Sequence, residues 1–185
     1  LELVTRAEAF LEPRAGRRLA PCRPAPTPPA SPEHVALAAP ILRGACSLKD
    51  ENVEGAWRRL VLDFRGGGAI RNFVDGKEVA RYARAGVVTP DHVIRTKPWP
   101  LIVPAPETGR LDDFKRAAQR AAQDFIADYK AYFERNAARL GQPRTMLDPL
   151  PRVILVPGLG LFGLGRSKAD AQIAADIAEA AVAVI

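Results

Sequence analysis

The chain has 185 residues, of which 48% are hydrophobic, and its formal net charge is +6. This length and composition allow one domain with a buried core, and they exclude a chain that is disordered throughout. No apolar run reaches the roughly 18 residues that a membrane-spanning helix needs, so we expect no membrane partner.

The positive charge is concentrated in one segment. Residues 13–32 contain four arginines and no acid, so they carry +4 and leave only +2 for the rest of the chain. No aromatic residues interleave with the basic ones, so we expect no nucleic-acid partner. The two cysteines, Cys22 and Cys46, have no metal-binding or redox spacing, which favours a reduced, cytoplasmic protein.

The beginning of the chain divides into three parts. Residues 1–12 place apolar side chains on one helical face, and we interpret them as the end of a helix from a preceding domain. Residues 13–32 contain seven prolines and are predicted to form an extended linker. A serine cap followed by proline then begins the middle domain, predicted at 33–185. Because a helical pattern is already under way at residue 1 and the chain stops on apolar residues, we expect both ends to continue in a longer protein.

Predicted strands alternate with predicted helices in this domain. Apolar runs next to glycine or proline predict strands at 57–64, 100–103 and 152–156. Apolar residues at helical spacing predict long helices at 111–139 and from Ser167 onward. The predicted buried stripe of the last helix is Ile173, Ile177, Ala181 and Val184. The alternation predicts an α/β fold, a partial Rossmann-like layer with few parallel strands flanked by helices.

The stretch VPGLGLFGLGRSKAD matches the pattern G-x-G-x-x-G with Gly158, Gly160 and Gly163. Between a strand and a helix, this pattern can be a dinucleotide-binding fingerprint. Here the helix is predicted to start only at Ser167, and no second strand follows to bring an acid to the ribose. We therefore favour a packed strand-to-helix loop at 158–165.

Two groups of basic residues are candidates for anion binding. Arg166 and Lys168 lie at the predicted N-terminus of the last helix. Arg95 and Lys97 are a candidate phosphate clamp, and His92 beside them is a weak candidate for a general base. The alternative, which we favour for His92, is that it only completes hydrogen bonds at a helix start, because spacing identifies no partner acid or nucleophile.

The two groups would form one site if the three predicted strands are parallel neighbours. That site would bind a sugar phosphate or another anion, using the clamp residues, Arg166, Lys168 and the glycine loop. A metal site is not predicted, because His34 and His92 are far apart and no cysteine or acid cluster accompanies them.

Three long motifs carry a family resemblance: LDFRGGGAIRNFV, VVTPDHVIRTKPWPLIV and DPLPRVILVPGLGLFGLGRSKADAQIAADI. They resemble the middle region of bacterial fusion proteins that join a class II aldolase/adducin-type domain to a short-chain dehydrogenase, including bifunctional rhamnulose-1-phosphate aldolase/lactaldehyde dehydrogenases. The helix LELVTRAEAFL is similar to the one that closes the aldolase domain there. The resemblance covers most of residues 1–12 and 37–185.

The resemblance implies that the catalytic residues lie outside this chain. The zinc-binding histidines and catalytic acid of the aldolase precede Leu1 in the family, and the NAD fingerprint and Tyr-x-x-x-Lys pair of the dehydrogenase follow Ile185. Tyr129 is followed directly by Lys130, so it does not match that pair. Zinc and NAD are therefore expected in the flanking domains and no cofactor in this segment.

Three hypotheses for function follow, in order of preference. In the first, the segment is non-catalytic and positions the flanking aldolase and dehydrogenase domains of the same polypeptide, which we expect to form a homo-oligomer. In the second, it is a phosphate- or nucleotide-binding module that uses the Gly158–Gly165 loop and the cluster of His92, Arg95 and Lys97. In the third, it is an enzyme in its own right.

Overall fold

The computed structural model describes residues 2–13, 31–50, 52–107, 109–141 and 143–184. The predicted linker at 13–32 falls almost entirely outside these residues, and so does Cys22. Within them, the helices are α1 (Glu2–Leu11), α2 (Pro32–Ala45), α3 (Gly68–Val74), α4 (Val79–Tyr82), α5 (His92–Thr96), α6 (Leu111–Leu140) and α7 (Lys168–Val184). The strands are β1 (Ser47–Lys49), β2 (Trp57–Arg59), β3 (Val61–Arg65), β4 (Leu101–Ile102), β5 (Val153–Val156) and β6 (Gly160–Gly165).

The strands form two sheets. Strands β1 and β2 make a small antiparallel pair. The main sheet has the order β3-β6-β5-β4, in which β6 is antiparallel to both of its neighbours and only β4 and β5 pair in parallel. The chain is therefore α/β, as predicted, but its main sheet is mixed.

The prediction of parallel neighbours is partly wrong. Strands β3, β4 and β5 do run in the same direction, since β3 and β5 are both antiparallel to β6. However, β6 lies between β3 and β5, so these two strands are not neighbours. The sheet has an Arg166 end, where β3 and β5 begin and β6 ends, and a Gly158 end, where β5 ends and β6 begins.

The predicted loop at 158–165 is the main error of the sequence analysis. Only a tight turn at residues 157–159 precedes β6, whose six residues are all buried. Alternate side chains of a strand point to opposite faces. Phe162 and Leu164 accordingly join the core on one face of the sheet, and Leu161 joins the core on the other.

The glycines of β6 allow α7 to lie directly on the strand. A Cβ atom at Gly163 would lie 2.3 Å from the carbonyl oxygen of Ala171, and one at Gly165 would lie 2.3 Å from its amide nitrogen. The buried side of α7 consists of small residues, Ala171, Ala174 and Ala175. The predicted stripe is therefore wrong at its ends: Ile173 and Val184 are 39% and 68% exposed.

Helices α2 and α6 cover the opposite face of the main sheet. Phe114, Ala118, Phe125 and Tyr129 recur at spacings of four, seven and four along α6 and pack in one core with Leu42 of α2. Asp112 and Asp113 suit the positive N-terminus of α6, and Gly141 ends it in a left-handed conformation. The predicted helix at 111–139 is confirmed.

Helix α1 contributes nothing to either core. Its side chains are all exposed, including Leu3 at 79% and Leu11 at 59%. Among the described helices, none is both long and apolar enough to span a lipid bilayer.

Candidate functional site

Lys97 is a buried structural residue and does not face the solvent beside Arg95. Its side chain is 1% exposed, and its backbone has the positive φ of 67° at the end of α5. The ammonium group donates a hydrogen bond of 2.6 Å to the backbone oxygen of Asp148 and lies 4.0 Å from the ring centroid of Tyr129. Burial and the nearby charge of Arg152 lower the pKa of Lys97 to about 8. The predicted clamp of Arg95 and Lys97 is therefore not formed.

Asp148 is the acid at the centre of the Arg166 end. It forms an ion pair with Arg152, and both side chains are mostly buried. Burial alone would raise the pKa of Asp148, but the hydrogen bond and charge of Arg152 outweigh this effect and lower it. Arg166 reaches the same carboxylate at 3.5 Å while its own side chain is 74% exposed. Asp148 and Arg152 open the motif DPLPRVILVPGLGLFGLGRSKADAQIAADI, but nothing in their spacing predicts that they form an ion pair, so the sequence did not single them out.

Arg95 and Lys168 lie on the surface near the start of α7. Arg95 is 3.9 Å from Asp170, and both side chains are about half exposed. Ser167 accepts a hydrogen bond from the Asp170 amide at 3.1 Å, so it caps the helix as predicted. Lys168 is exposed. The structure thus brings Arg95, Arg166 and Lys168 to the same end of the sheet, while Arg95 and Arg166 each pair with a different acid.

His92 borders a small apolar cavity between α5, α7 and the sheet. The cavity has a volume of about 60 Å³ and is lined mainly by aliphatic and aromatic side chains, among them Trp99, Leu155 and Leu161. Nδ1 of His92 is buried and lacks a hydrogen-bond partner within the described parts of the chain. The residues that line the cavity include no acid, and the Thr96 hydroxyl and the Lys97 ammonium group donate to backbone oxygens, so the geometry gives His92 no partner for acid–base chemistry.

Gly158 and Gly160, the first two glycines of the G-x-G-x-x-G pattern, lie at the turn between β5 and β6, at the Gly158 end of the sheet. Gly158 has a φ of 81°, and its amide donates a hydrogen bond of 2.7 Å to Asp75. Asp75 also forms a buried ion pair with Arg71 at 2.8 Å. At Gly160, a Cβ atom would lie 2.5 Å from the carbonyl oxygen of Arg65. Both glycines are therefore explained by local packing.

The predicted anion site is divided between the two ends of the sheet. Gly160 and Gly165 are five residues apart on one strand, which is about 17 Å at 3.4 Å per residue. Gly158 consequently lies far from Arg166, and Gly163 lies between them under α7. The glycines and the basic residues do not form one site.

A cleft at the Arg166 end was not predicted. It has a volume of about 270 Å³, and its charged lining residues are Arg58, Arg59, Arg166 and Asp148. The first two belong to β2, which is fully exposed. We call it the arginine cleft. The signal that the sequence offered was the dipeptide RR in a predicted strand, which by itself indicates only exposed charge.

The residues present do not fit zinc or NAD. Among the described residues, no group of three or more His, Cys, Asp or Glu side chains could hold a metal ion. A dinucleotide fingerprint needs its glycines to lead directly into a helix N-terminus. Here Gly160 and Gly163 lie within a buried strand, so the backbone amides are used in the sheet.

Comparisons with known proteins identify the family. The chain is 28% identical over 147 residues to the "Uncharacterized oxidoreductase YuxG" of Bacillus subtilis (strain 168), a match that covers 79% of this chain and 20% of that protein. The chain thus spans about a fifth of the length of this curated relative. No solved structure gives a significant match. The model of the family described as "Aldolase class II, second domain" matches residues 33–185. The chain therefore belongs to the family of class II aldolase second domains.

Proposed function

We propose that this chain is a non-catalytic second domain that positions catalytic domains on either side of it in a longer polypeptide. One of these domains would be a class II aldolase that cleaves a sugar phosphate, of the rhamnulose-1-phosphate type. The other would be an NAD-dependent short-chain dehydrogenase that oxidises the resulting aldehyde. In this proposal, zinc and NAD belong to the flanking domains, and the polypeptide is a cytoplasmic homo-oligomer.

The observation that carries the proposal is the exposure of α1. This helix has ten residues, and its side chains are not buried by the described part of the chain. Isolated helices shorter than about 12–15 residues are marginal in water. Leu3, Val4 and Leu11 lie close together on one side of the helix and are each at least 59% exposed. Contact of this side with a neighbouring domain would stabilise the helix.

The pairing of the charged residues also favours a structural role. Lys97 donates to a backbone oxygen, Asp148 is bound by Arg152, and Asp75 is bound by Arg71 and by the Gly158 amide. Groups that are engaged in this way hold loops in place and are not free for proton transfer to a substrate. The relative named as an oxidoreductase, of which this chain matches a fifth, is consistent with catalytic regions elsewhere.

The test uses substitutions on the two sides of α1. In the longer polypeptide, Leu3→Gln with Leu11→Gln should lower the thermal unfolding temperature and the aldolase activity, because the contact with the neighbouring domain is lost. The matched control is Ala9→Gln on the other side of α1, which should change neither. In the 185-residue chain alone, all of these variants should unfold like the wild type.

Two results would contradict the proposal. One is a longer polypeptide with Leu3→Gln and Leu11→Gln whose thermal unfolding temperature and aldolase activity equal those of the wild type. The other is turnover of a sugar phosphate, or of an aldehyde with NAD, by the 185-residue chain alone.

The second hypothesis, a module that binds phosphate or a nucleotide through the glycine segment and the His92 cluster, has less support. Its residues lie at two ends of the sheet, and Lys97 is buried. Replacing Arg95 with Ala should leave calorimetric titrations with NAD unchanged, whereas this second hypothesis expects a loss of binding.

A further inference from the structure

We infer that the arginine cleft binds a small molecule that carries a phosphate group. This site differs from the one considered in the sequence, since two of its three arginines, Arg58 and Arg59, belong to β2. The inference does not depend on the proposed positioning function.

The cleft lies where three parts of the chain meet. Strand β2 supplies Arg58 and Arg59, the residue after β6 supplies Arg166, and the segment before β5 supplies Asp148. Three leucine side chains line the rest of the cleft. Strands β2 and β6 are paired in sheets, so the three arginines lie on or next to hydrogen-bonded backbone. Arg58 pairs with Leu48, which places these two side chains on the same face of the β1–β2 ribbon.

The acid in the cleft is already neutralised. Asp148 pairs with Arg152, which lies outside the lining, and the ammonium group of Lys97 binds the backbone oxygen of Asp148. Arg166 contacts the same carboxylate only at 3.5 Å, the outer limit of a hydrogen bond. Within the described residues, the side chains of Arg58 and Arg59 make no hydrogen bond or ion pair. The cleft therefore has guanidinium groups with free donors.

The charge of the lining matches that of a phosphate monoester. Three arginines and one aspartate give the lining residues a net charge of +2. A phosphate monoester carries about −1.5 to −2 at pH 7. Guanidinium groups bind its oxygens with two parallel hydrogen bonds, which fixes both position and orientation. The surplus of positive charge in the lining is unfavourable, and a phosphate group would compensate it.

The size and the lining favour a small molecule over a polymer. A volume of about 270 Å³ is near the lower end of ligand sites, which are about 300–1,000 Å³. Proteins that bind single-stranded nucleic acids stack bases on aromatic side chains, and the lining residues of the cleft include none. The leucines could instead contact a short carbon chain attached to the phosphate.

The test is a titration of the 185-residue chain with glycerol 3-phosphate at low ionic strength, with glycerol as the uncharged control. Calorimetry should show saturable binding of one molecule per chain, and the backbone amide resonances of Arg58, Arg59 and Arg166 should shift. Replacing Arg166 or Arg58 with Gln should weaken binding at least tenfold. These side chains are exposed, so thermal unfolding should be unchanged and should confirm that the variants fold.

The control variant is Arg116→Gln, which removes the same charge from an exposed arginine that lines a different cleft, beside Gly158. It should bind glycerol 3-phosphate like the wild type. The inference is overturned if binding does not saturate at millimolar concentrations, or if Arg116→Gln weakens it as much as Arg166→Gln does. Binding of a short DNA duplex without a response to glycerol 3-phosphate would also overturn it.

Discussion

The two ends of the main sheet use charged residues in different ways. At the Gly158 end, one arginine and one aspartate are buried together, with side chains 9% and 8% exposed, and the aspartate also holds the turn before β6. At the Arg166 end, one negatively charged residue, Asp148, is contacted by three positively charged residues, Lys97, Arg152 and Arg166. The first arrangement is balanced, whereas the second leaves a surplus of positive charge.

The difference indicates which of the two charged clusters has a cation available for a bound anion. A buried, balanced pair has no free donors, so its effect is to fix the turn and the helix that carry it. A partly exposed cluster with more cations than anions can release one cation to a bound anion. Arg166, with one long contact and a largely exposed side chain, is the residue best placed to do so.

Replacing Asp75 with Ala should lower the free energy of unfolding more than any other change considered, because it removes the carboxylate that pairs with Arg71 at the Gly158 end. Arg71 would remain buried without its carboxylate, and the Gly158 amide would lose its acceptor. Breaking a buried pair in this way costs about 3–5 kcal/mol of unfolding free energy. Urea denaturation would measure this loss. Asp75→Asn keeps an acceptor for the Gly158 amide and should lower the free energy of unfolding by less. If Asp75→Ala costs no more than the loss of a surface ion pair, Asp75 does not anchor the Gly158 end.

Replacing Gly163 with Ala tests the link between the two ends, since this residue lies midway along β6 under α7. The new methyl group would lie 2.3 Å from a backbone oxygen and 2.6 Å from a backbone nitrogen of α7. Such overpacking costs about 1–3 kcal/mol. The control is Gly44→Ala in α2, where a Cβ atom meets nothing within 4 Å. It should stabilise the protein by about 0.4–1 kcal/mol. Equal unfolding temperatures for the two variants would contradict the packing explanation.

The pH dependence of the free energy of unfolding should distinguish the Arg166 end, because Lys97 is the lysine that is buried among the described residues. Lys97 has a pKa of about 8 in the folded protein and about 10.5 when unfolded. Between these values the unfolded chain binds more protons, so the free energy of unfolding should rise with pH. The full rise is up to about 3 kcal/mol at 1.36 kcal/mol per pKa unit.

Urea denaturation between pH 7 and pH 10 would measure this rise, with Lys97→Met as the matched variant. Methionine keeps an unbranched side chain at the same strained position but does not titrate. The variant should lose the rise, and an identical pH profile for both proteins would show that Lys97 is not the group responsible.

Much of the architecture could be predicted from local sequence. Helical periodicity and caps located α6 and the start of α7, and apolar runs located β4 and β5. The single strand predicted at 57–64 is divided into β2 and β3, which belong to different sheets. These features depend on residues close together in the chain, such as Asp112 and Asp113 at a helix N-terminus. The α/β class therefore followed from spacing alone.

The strand β6 could not be predicted in the same way. Its three glycines indicate a loop when only neighbours in sequence are considered. Glycine is needed at 163 and 165 because of a tertiary contact, since a side chain at either position would collide with the backbone of α7. The small residues Ala171, Ala174 and Ala175 were the complementary signal, but they become meaningful only once helix and strand are known to touch.

The candidate site was harder to predict than the fold. Arg166 was named as a candidate anion-binding residue, but its neighbours Arg58, Arg59 and Asp148 come from other parts of the chain. Lys97 resembled a clamp residue because helical spacing places it near Arg95. Its backbone leaves the helix at a positive φ, and this turns the side chain into the core.

The position of β6 in the sheet also affects how the domain forms during synthesis. Strand β3 must pair with a strand that comes about 100 residues later in the chain. At about 5–20 residues per second, the ribosome needs roughly 5–20 s to make that stretch. Until then, β3 has an unpaired edge, because the strand with which it pairs has not been made. We therefore expect the nascent domain to complete its folding only after β6 and α7 have been made, and to depend on protection from aggregation until that point.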